Sequence, residues 1–301
     1  MKKVILSILS INLIILIIVP YSTLKTFNLF FNSSQRIDIY NVKTGEIMEL
    51  DIEEYLKGVV AAEMPALFEI EALKAQSVAA RTYTLNKMRN SRLTTDSNTD
   101  QAWASQEDLL QRWGLSGYLN YWPKISAAVE ETKGWVLFYR GDFINAVYHS
   151  TSGDYTEPAH KVWGNRVSYL QSVASDYEQE SPYYQRNSRF SRDEVANKLE
   201  VSLNDLSLIE ISKRSSSDRV LEMRVGDDIF SGREIRSKLA LHSTNFSLKE
   251  DGEYIVFSTS GYGHGVGMSQ YGANGMARRG YDFKDILQHY YTGVTLKEYN
   301  N

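Results

Sequence analysis

The sequence predicts an α+β fold: a single extracytoplasmic domain with a substrate cleft, preceded by one N-terminal transmembrane helix. Three observations predict it. Helical periodicity is concentrated between residues 51 and 88, strand-like runs gather after residue 205, and the two do not alternate as βαβ units would. A separate apolar run stands at the N-terminus. The chain, at 301 residues, is long enough to bury a core without disulfide staples, and with zero cysteines it has none. The expected organisation is 1–24 anchor, 25–35 linker and 36–301 folded domain.

The anchor rests on Met1-Lys2-Lys3 followed by an apolar run over 4–19, broken only by Ser7, Ser10 and Asn12 and closed by Pro20. Sixteen helical residues span about 24 Å, short of a hydrocarbon core of about 30 Å, although 21–24 extend the run. A secretory signal would carry a small-residue cleavage site, and 20–25 offers no convincing one, so an uncleaved anchor is favoured. The two lysines ahead of the run orient the rest of the chain outside the cytoplasm, at the cell membrane.

Beyond the spacer, residues 36–50 read as strands around the turn-like Lys43-Thr44-Gly45-Glu46. Asp51 caps a helix, with Glu54 three residues on and Tyr55, Val59 and Ala62 recurring at helical spacing until Pro65 forbids continuation. A second helix is expected over about 68–88, with Ile70, Leu73, Ser77, Ala80 and Thr84 on one stripe and Lys74, Val78, Arg81 and Leu85 on another. Alternation through Phe143, Asn145, Val147 and His149 reads as a strand entering the loop Ser150-Thr151-Ser152-Gly153. Ser191 and Glu194 form a capping box for a helix to about Leu199. The runs 208–212, 219–225 and 253–258 read as strands, and 282–291 as a closing helix.

Composition excludes several chemistries. Without cysteine there is no thiolate nucleophile, Cys-ligated zinc or iron–sulfur cluster. A net charge of −4 argues against nucleic acid as a partner. The five histidines show no H-E-x-x-H and no short His-x-His pair, so no metal and no cofactor are expected. His149 precedes a serine-containing loop, but no G-x-S-x-G elbow is present.

Glu63 is singled out on physical grounds. At the end of the first helix it meets the negative end of the dipole, and Val59-Val60-Ala61-Ala62 and Met64-Pro65 surround it with small or apolar groups. Both effects raise a carboxyl pKa, which suits a general acid. The structural alternative, a glutamate in solvent or paired with Lys57 or Arg81, stays open at this stage. The second candidate region is the run 261–272. Seven of the 19 glycines fall between Gly261 and Gly280, and His264, Ser269, Gln270 and Tyr271 are displayed from the same loop. Alternating glycines bring backbone close to a partner, and the spacing matches no nucleotide fingerprint. Polar and aromatic residues over 159–170 suit a saccharide or ordinary packing alike.

These motifs carry a family resemblance. Residues 54–65 and 71–83, the loop Tyr148-His149-Ser150-Thr151-Ser152-Gly153 and the block 263–273 resemble, in order, the signatures of the stage II sporulation protein D family, over roughly 37–296. The resemblance implies a lytic transglycosylase. It would cut denuded peptidoglycan glycan strands between N-acetylmuramic acid and N-acetylglucosamine, leaving 1,6-anhydromuramyl ends, in septal remodelling during engulfment. The family's catalytic glutamate falls on Glu63. Sugar-positioning roles are implied for Arg81, Tyr83, His149 and His264, and Ser152, Ser269, Gln270 and Tyr271 complete the expected substrate-binding set. The implied partners are glycan strands, an amidase and a membrane scaffold of the engulfment machinery, besides the membrane itself through the N-terminal helix. The same domain occurs in amidase enhancers, so the alternative is a non-catalytic peptidoglycan-binding enhancer of a partner N-acetylmuramoyl-L-alanine amidase. One departure stands out. Some family members carry a metal-binding Cys and His cluster after the second helix, where this chain reads Leu93-Thr94-Thr95-Asp96-Ser97-Asn98-Thr99-Asp100-Gln101-Ala102-Trp103. Hydrogen bonds or packing are expected to hold that loop instead.

Overall fold

The computed structural model describes residues 35–299. The expected hairpin forms from β1 (Arg36–Asn41) and β2 (Glu46–Asp51), antiparallel, with β3 (Leu93–Thr94) added in parallel to β1. The first helix, α1 (Ile52–Glu63), starts where Asp51 accepts the N–H groups of Glu53 and Glu54, and ends two residues before Pro65. The second, α2 (Ile70–Met88), is the centre of the molecule, buried on most of its faces and packed against the first helix and later elements. It tolerates this because its polar groups are satisfied locally: the hydroxyls of Ser77, Thr82 and Thr84 donate to carbonyls one turn back at 2.7–2.8 Å.

The helix α3 (Gln106–Glu131), which the sequence reading did not anticipate, is capped by Ser105 with Asp108 and broken at Gly114, where φ is 67°. Next come β4 (Trp135–Tyr139), β5 (Asp142–Phe143), β6 (Tyr148–His149) and the short α4 (Ala159–Trp163). The strand expected through 143–149 is thus two short pieces separated by an irregular stretch.

Residues 186–259 build around a core of their own. The elements are β7 (Arg186–Ser191), α5 (Arg192–Leu199), β8 (Ile209–Arg214), β9 (Val220–Val225), β10 (Asp228–Ser231), α6 (Gly232–Lys238), β11 (Phe246–Asp251) and β12 (Tyr254–Thr259). The strands form two antiparallel sheets, in the orders β10-β9-β8 and β11-β12-β7. Val195, Leu206, Met223, Ile235, Phe246 and Phe257 fill the space between. The chain then returns to the first core through β13 (Met268–Ser269), α7 (Gln270–Ala277), α8 (Phe283–Tyr290) and β14 (Thr295–Glu298). The last strand closes the sheet β14-β4-β5, and β13 pairs in parallel with β6, Met268 opposite Tyr148 and Ser269 opposite His149. That pairing brings two sequence motifs, more than 100 residues apart, side by side.

The mixed helix-and-sheet architecture is as expected, but the transmembrane helix is corrected. Among the described residues no helix is long and apolar enough to cross a membrane. The two longest fail for a physical reason: α2 carries Glu71, Lys74, Arg81 and Lys87, and α3 carries Glu107, Asp108, Arg112, Lys124, Glu130 and Glu131. Residues 1–24, on which the anchor was expected, lie outside the described residues.

Candidate active site

Glu63 is the last residue of α1 and is half-buried. One carboxylate oxygen accepts the N–H of Ala102 at 2.6 Å. Burial pushes its pKa above the ordinary carboxylate range, and the hydrogen bonds from Ala102 and Tyr148 pull it back by less. Neither Lys57 nor Arg81 neutralises it. Lys57 pairs with Glu54 and Glu130 at 2.5 and 2.8 Å, and Arg81 pairs with Glu53 at 2.5 Å. The ion-paired alternative for Glu63 therefore fails, because both cations are committed elsewhere.

The hydrophobic step up to Glu63 is completed by tyrosines. Tyr55, Tyr83 and Tyr148 all feel its charge, and burial raises the pKa of each, so all three stay protonated as hydrogen-bond donors. The nearest other carboxylate in this network, Asp100, is unavailable for chemistry. Its side chain is fully buried, pairs with Lys87 at 2.5 Å and accepts the Thr94 N–H at 3.0 Å. Of these two carboxylates, Glu63 is the one outside an ion pair.

The loop bearing Ala102 is held by the hydrogen bonds the departure called for. Asp96 accepts from Asn98 and Thr99 at 2.9–3.0 Å, Gln101 donates to Thr84 and accepts from Tyr148 at 3.0 Å each, and Ala104 N–H reaches Gly58 at 3.3 Å. Gly58 is required at that contact, since a Cβ there would lie 2.4 Å from the Trp103 ring.

Across β6 from Glu63 lies the second cluster. Tyr148 faces Glu63, and His149, the next residue, faces the other way, as alternation along a strand dictates. His149 Nε2 is 2.7 Å from Ser152 Oγ, and its Nδ1 is 3.1 Å from the Val266 carbonyl. Since a carbonyl can only accept, Nδ1 carries the proton and Nε2 accepts from the serine. This is the tautomer of a serine-activating base, yet Ser152 is 0% exposed and the N–H groups of Ser152 and Gly153 are consumed by Glu178 at 2.6 and 3.1 Å. The buried serine is closed to an acyl group, and neither of these two N–H groups is free to stabilise an oxyanion. The His264 ring lies tilted against its neighbours, its centroid 5.6 Å from that of His149 and 5.3 Å from that of Trp163; it accepts the Val266 N–H at 3.0 Å, and its pKa is lowered to about 4 by burial and by Arg219 and Arg236. Both histidines are neutral at physiological pH.

The glycine-rich loop makes this possible. Gly267, at φ 74°, brings the chain so close to Val147 that a Cβ would sit 2.1 Å from its carbonyl oxygen, and Gly265 leaves the room into which the Arg219 guanidinium fits.

Comparison with known proteins fixes the relationship. The family model described as stage II sporulation protein matches residues 40–139. The chain is 38% identical over 271 residues to stage II sporulation protein D of Bacillus subtilis (strain 168), covering 87% of this chain and 79% of that protein. The corresponding protein of Bacillus amyloliquefaciens is 39% identical over 271 residues, with 87% and 78% covered. The chain belongs to the stage II sporulation protein D family. It is also 30% identical over 299 residues to the amidase enhancer of Bacillus subtilis (strain 168), covering 81% of this chain but 40% of that protein.

As a member of the stage II sporulation protein D family the chain gathers only part of the expected residue set around Glu63. Tyr83 is there, and His149 and His264 lie behind β6. Arg81 is not: it is 2% exposed and spends its guanidinium on Glu53 and on the carbonyls of Val129 and Trp135, both at 3.2 Å, clamping α1, α3 and β4 together. Ser269 caps α7 through the Gly272 N–H, Gln270 is buried against Gln76 at 3.5 Å, and Tyr271 is half-buried with its ring against Phe68 at 4.8 Å. Ser152 is sealed under the loop. Sequence reasoning missed Tyr148, whose place opposite His149 in a strand was the available signal, and Glu178, whose isolated position gave none. No group of three or more His, Asp or Glu side chains suited to a metal converges among the described residues.

Proposed function

We propose that this chain is an extracytoplasmic lytic transglycosylase acting on peptidoglycan glycan strands during sporulation. The observation that carries the reading is a half-buried carboxyl group, Glu63, raised by burial and set among protonated tyrosines, while Asp100 in the same network is spent on Lys87. A hydrolase of the usual kind needs two. A transglycosylase needs one, because the sugar supplies the nucleophile. Protonated Glu63 gives its proton to the glycosidic oxygen as the C1–O4 bond breaks. The C6 hydroxyl of the muramyl residue attacks C1, and its proton returns to the Glu63 carboxylate as the C1–O6 bond closes the anhydro ring. Atoms balance without water, and the enzyme ends as it began. The Ala102 N–H, fixed to one oxygen, leaves the other to carry the proton. The Ala102 N–H and the Tyr148 hydroxyl favour the charged form and let the carboxylate form transiently.

The similarity to an amidase enhancer favours a second reading, in which the same groove binds glycan and presents it to an amidase partner without cutting. Incubation of the full chain with denuded strands, followed by mass spectrometry, separates the two. The transglycosylase reading expects anhydro-ended fragments that vanish with Glu63→Gln. Equal products from the variant would remove Glu63 from the chemistry. No products, with strand binding and stimulation of an added amidase, would establish the second reading.

A further inference from the structure

A basic cavity of about 210 Å³ lies at the seam between the two cores, and nothing in the mechanism above uses it. Its lining includes Lys161 and Trp163 from α4, Arg219 from the edge of β9, Arg233 and Arg236 from α6, and His264 from the glycine-rich loop. The charge is unbalanced. Glu157 offsets Arg219 at 3.8 Å, but among the described residues Lys161, Arg233 and Arg236 have no carboxylate within ion-pair distance. Arg233 donates to the Val162 carbonyl at 2.8 Å and Arg236 to the Leu241 carbonyl at 3.3 Å, which orients both guanidinium groups without neutralising them. Arg219 is 2% exposed, places its two terminal nitrogens 3.0 Å from Ser243 and Ser152, and leaves Nε without a hydrogen-bond partner. Holding three unneutralised cations together costs free energy through mutual repulsion, and an anion in the cavity relieves it.

Trp163 forms one edge of the cavity. That indole also lines an adjoining groove of about 360 Å³ with Tyr83, Asn86 and Asn145. An exposed aromatic face with amides around it suits a sugar ring, and Tyr83 is electrostatically coupled to Glu63. A sugar lying in this groove has the basic cavity as its neighbour across Trp163. The volume sets the size of what the cavity takes: it is below the range of pockets that hold whole drug-sized ligands, and admits a short acidic group rather than a peptide.

We propose that this cavity is an anion subsite for the free lactyl carboxylate of muramic acid, held by Arg233, Arg236 and Lys161. The inference rests on the glycan reading above and names residues for the preference for peptide-stripped strands that the resemblance implies: such strands carry the carboxylate free, whereas intact strands tie it up in an amide bond.

The test measures binding by the full chain carrying Glu63→Gln, so that cleavage does not interfere. Three probes are compared: peptide-stripped strands, the same strands with their carboxylates converted to primary amides, and peptide-bearing strands. The subsite predicts that stripped strands bind about tenfold more tightly than either of the others, as charge-assisted hydrogen bonds warrant. Arg236→Gln, and the exposed Lys161→Gln that disturbs no internal contact, each reduce that preference. Equal affinity for stripped and amidated strands would overturn the subsite while leaving the Glu63 chemistry standing. Peptide-bearing strands bound as tightly as stripped ones would assign the charge to stem-peptide carboxylates and overturn it too. A preference unchanged in both variants would place the anion elsewhere. Binding of no strand at all would remove the glycan reading and the subsite together.

Discussion

Two glutamates in this molecule have their pKa raised by burial, and they do opposite things. Glu63 is half-buried at a helix end, with one oxygen tied to Ala102 and no cation paired to it. Glu178 is fully buried, is raised to about 7, and accepts hydrogen bonds from the N–H groups of Ser152 and Gly153 and from the Ser175 hydroxyl, which in turn meets the Tyr290 hydroxyl at 2.7 Å. By titration alone Glu178 is the better-looking acid. Access reverses the ranking, because a proton donor whose oxygens are all occupied by its own protein cannot reach a substrate. A perturbed carboxyl group marks a site only when a path leads to it. The histidine–serine pair teaches the same lesson: His149 and Ser152 have the distance and tautomer of a nucleophile and its base, inside a plug of backbone.

The comparison breaks most visibly at Glu63. Glu63→Gln keeps an acceptor for the Ala102 N–H, so its thermal midpoint stays near the parent's while glycan cleavage falls by roughly 10³-fold or more. Glu178→Ala has the reverse profile. It strands two buried amides and costs about 3 kcal/mol in denaturant unfolding. If Glu178→Ala instead left stability intact and abolished cleavage, the roles of the two glutamates would be exchanged.

The pH dependence sharpens the contrast further. Cleavage needs Glu63 protonated, so kcat/KM falls as pH rises through its elevated pKa, above the ordinary value of 4.5. Tyr148→Phe removes a hydrogen bond that favours the charged form and moves that limb to higher pH. For stability, Glu178 and His264 work in opposite directions. The Glu178 pKa is higher folded than unfolded, so its contribution is present below 4.5 and is lost as pH rises through about 7. The His264 pKa is lower folded than unfolded, so its contribution is present above 6.5 and is lost as pH falls through about 4. Denaturant midpoints measured from pH 4 to 8 are expected to lose the neutral-side decline in Glu178→Gln and the acid-side decline in His264→Gln.

Much of the site's frame was legible because local rules built it. Asp51 and Pro65 bracket α1 and thereby put Glu63 at a helix end, and the glycine spacing announced a close backbone approach, realised at Gly265 and Gly267. The Ser191 box and the closing helix were equally local. What escaped depended on distant partners. The broken α3, with Gly114 and Pro123 inside it, hides its periodicity. Arg81 looks like a ligand for sugar until Glu53 and two carbonyls claim it. Arg219, Arg233 and Arg236 meet Lys161 and Trp163 only because the second core docks against the first. Side-chain identity suggests chemistry, and only packing decides whether a group is free to perform it.

The central claim is that one carboxyl group suffices because the sugar attacks itself. Cleavage of peptide-stripped strands in water enriched with oxygen-18 tests it directly. The account predicts fragments with anhydro ends and no oxygen-18 at the newly formed muramyl terminus. Reducing ends carrying one oxygen-18 atom would mean that water is the nucleophile, and would require a second catalytic group that this site does not present.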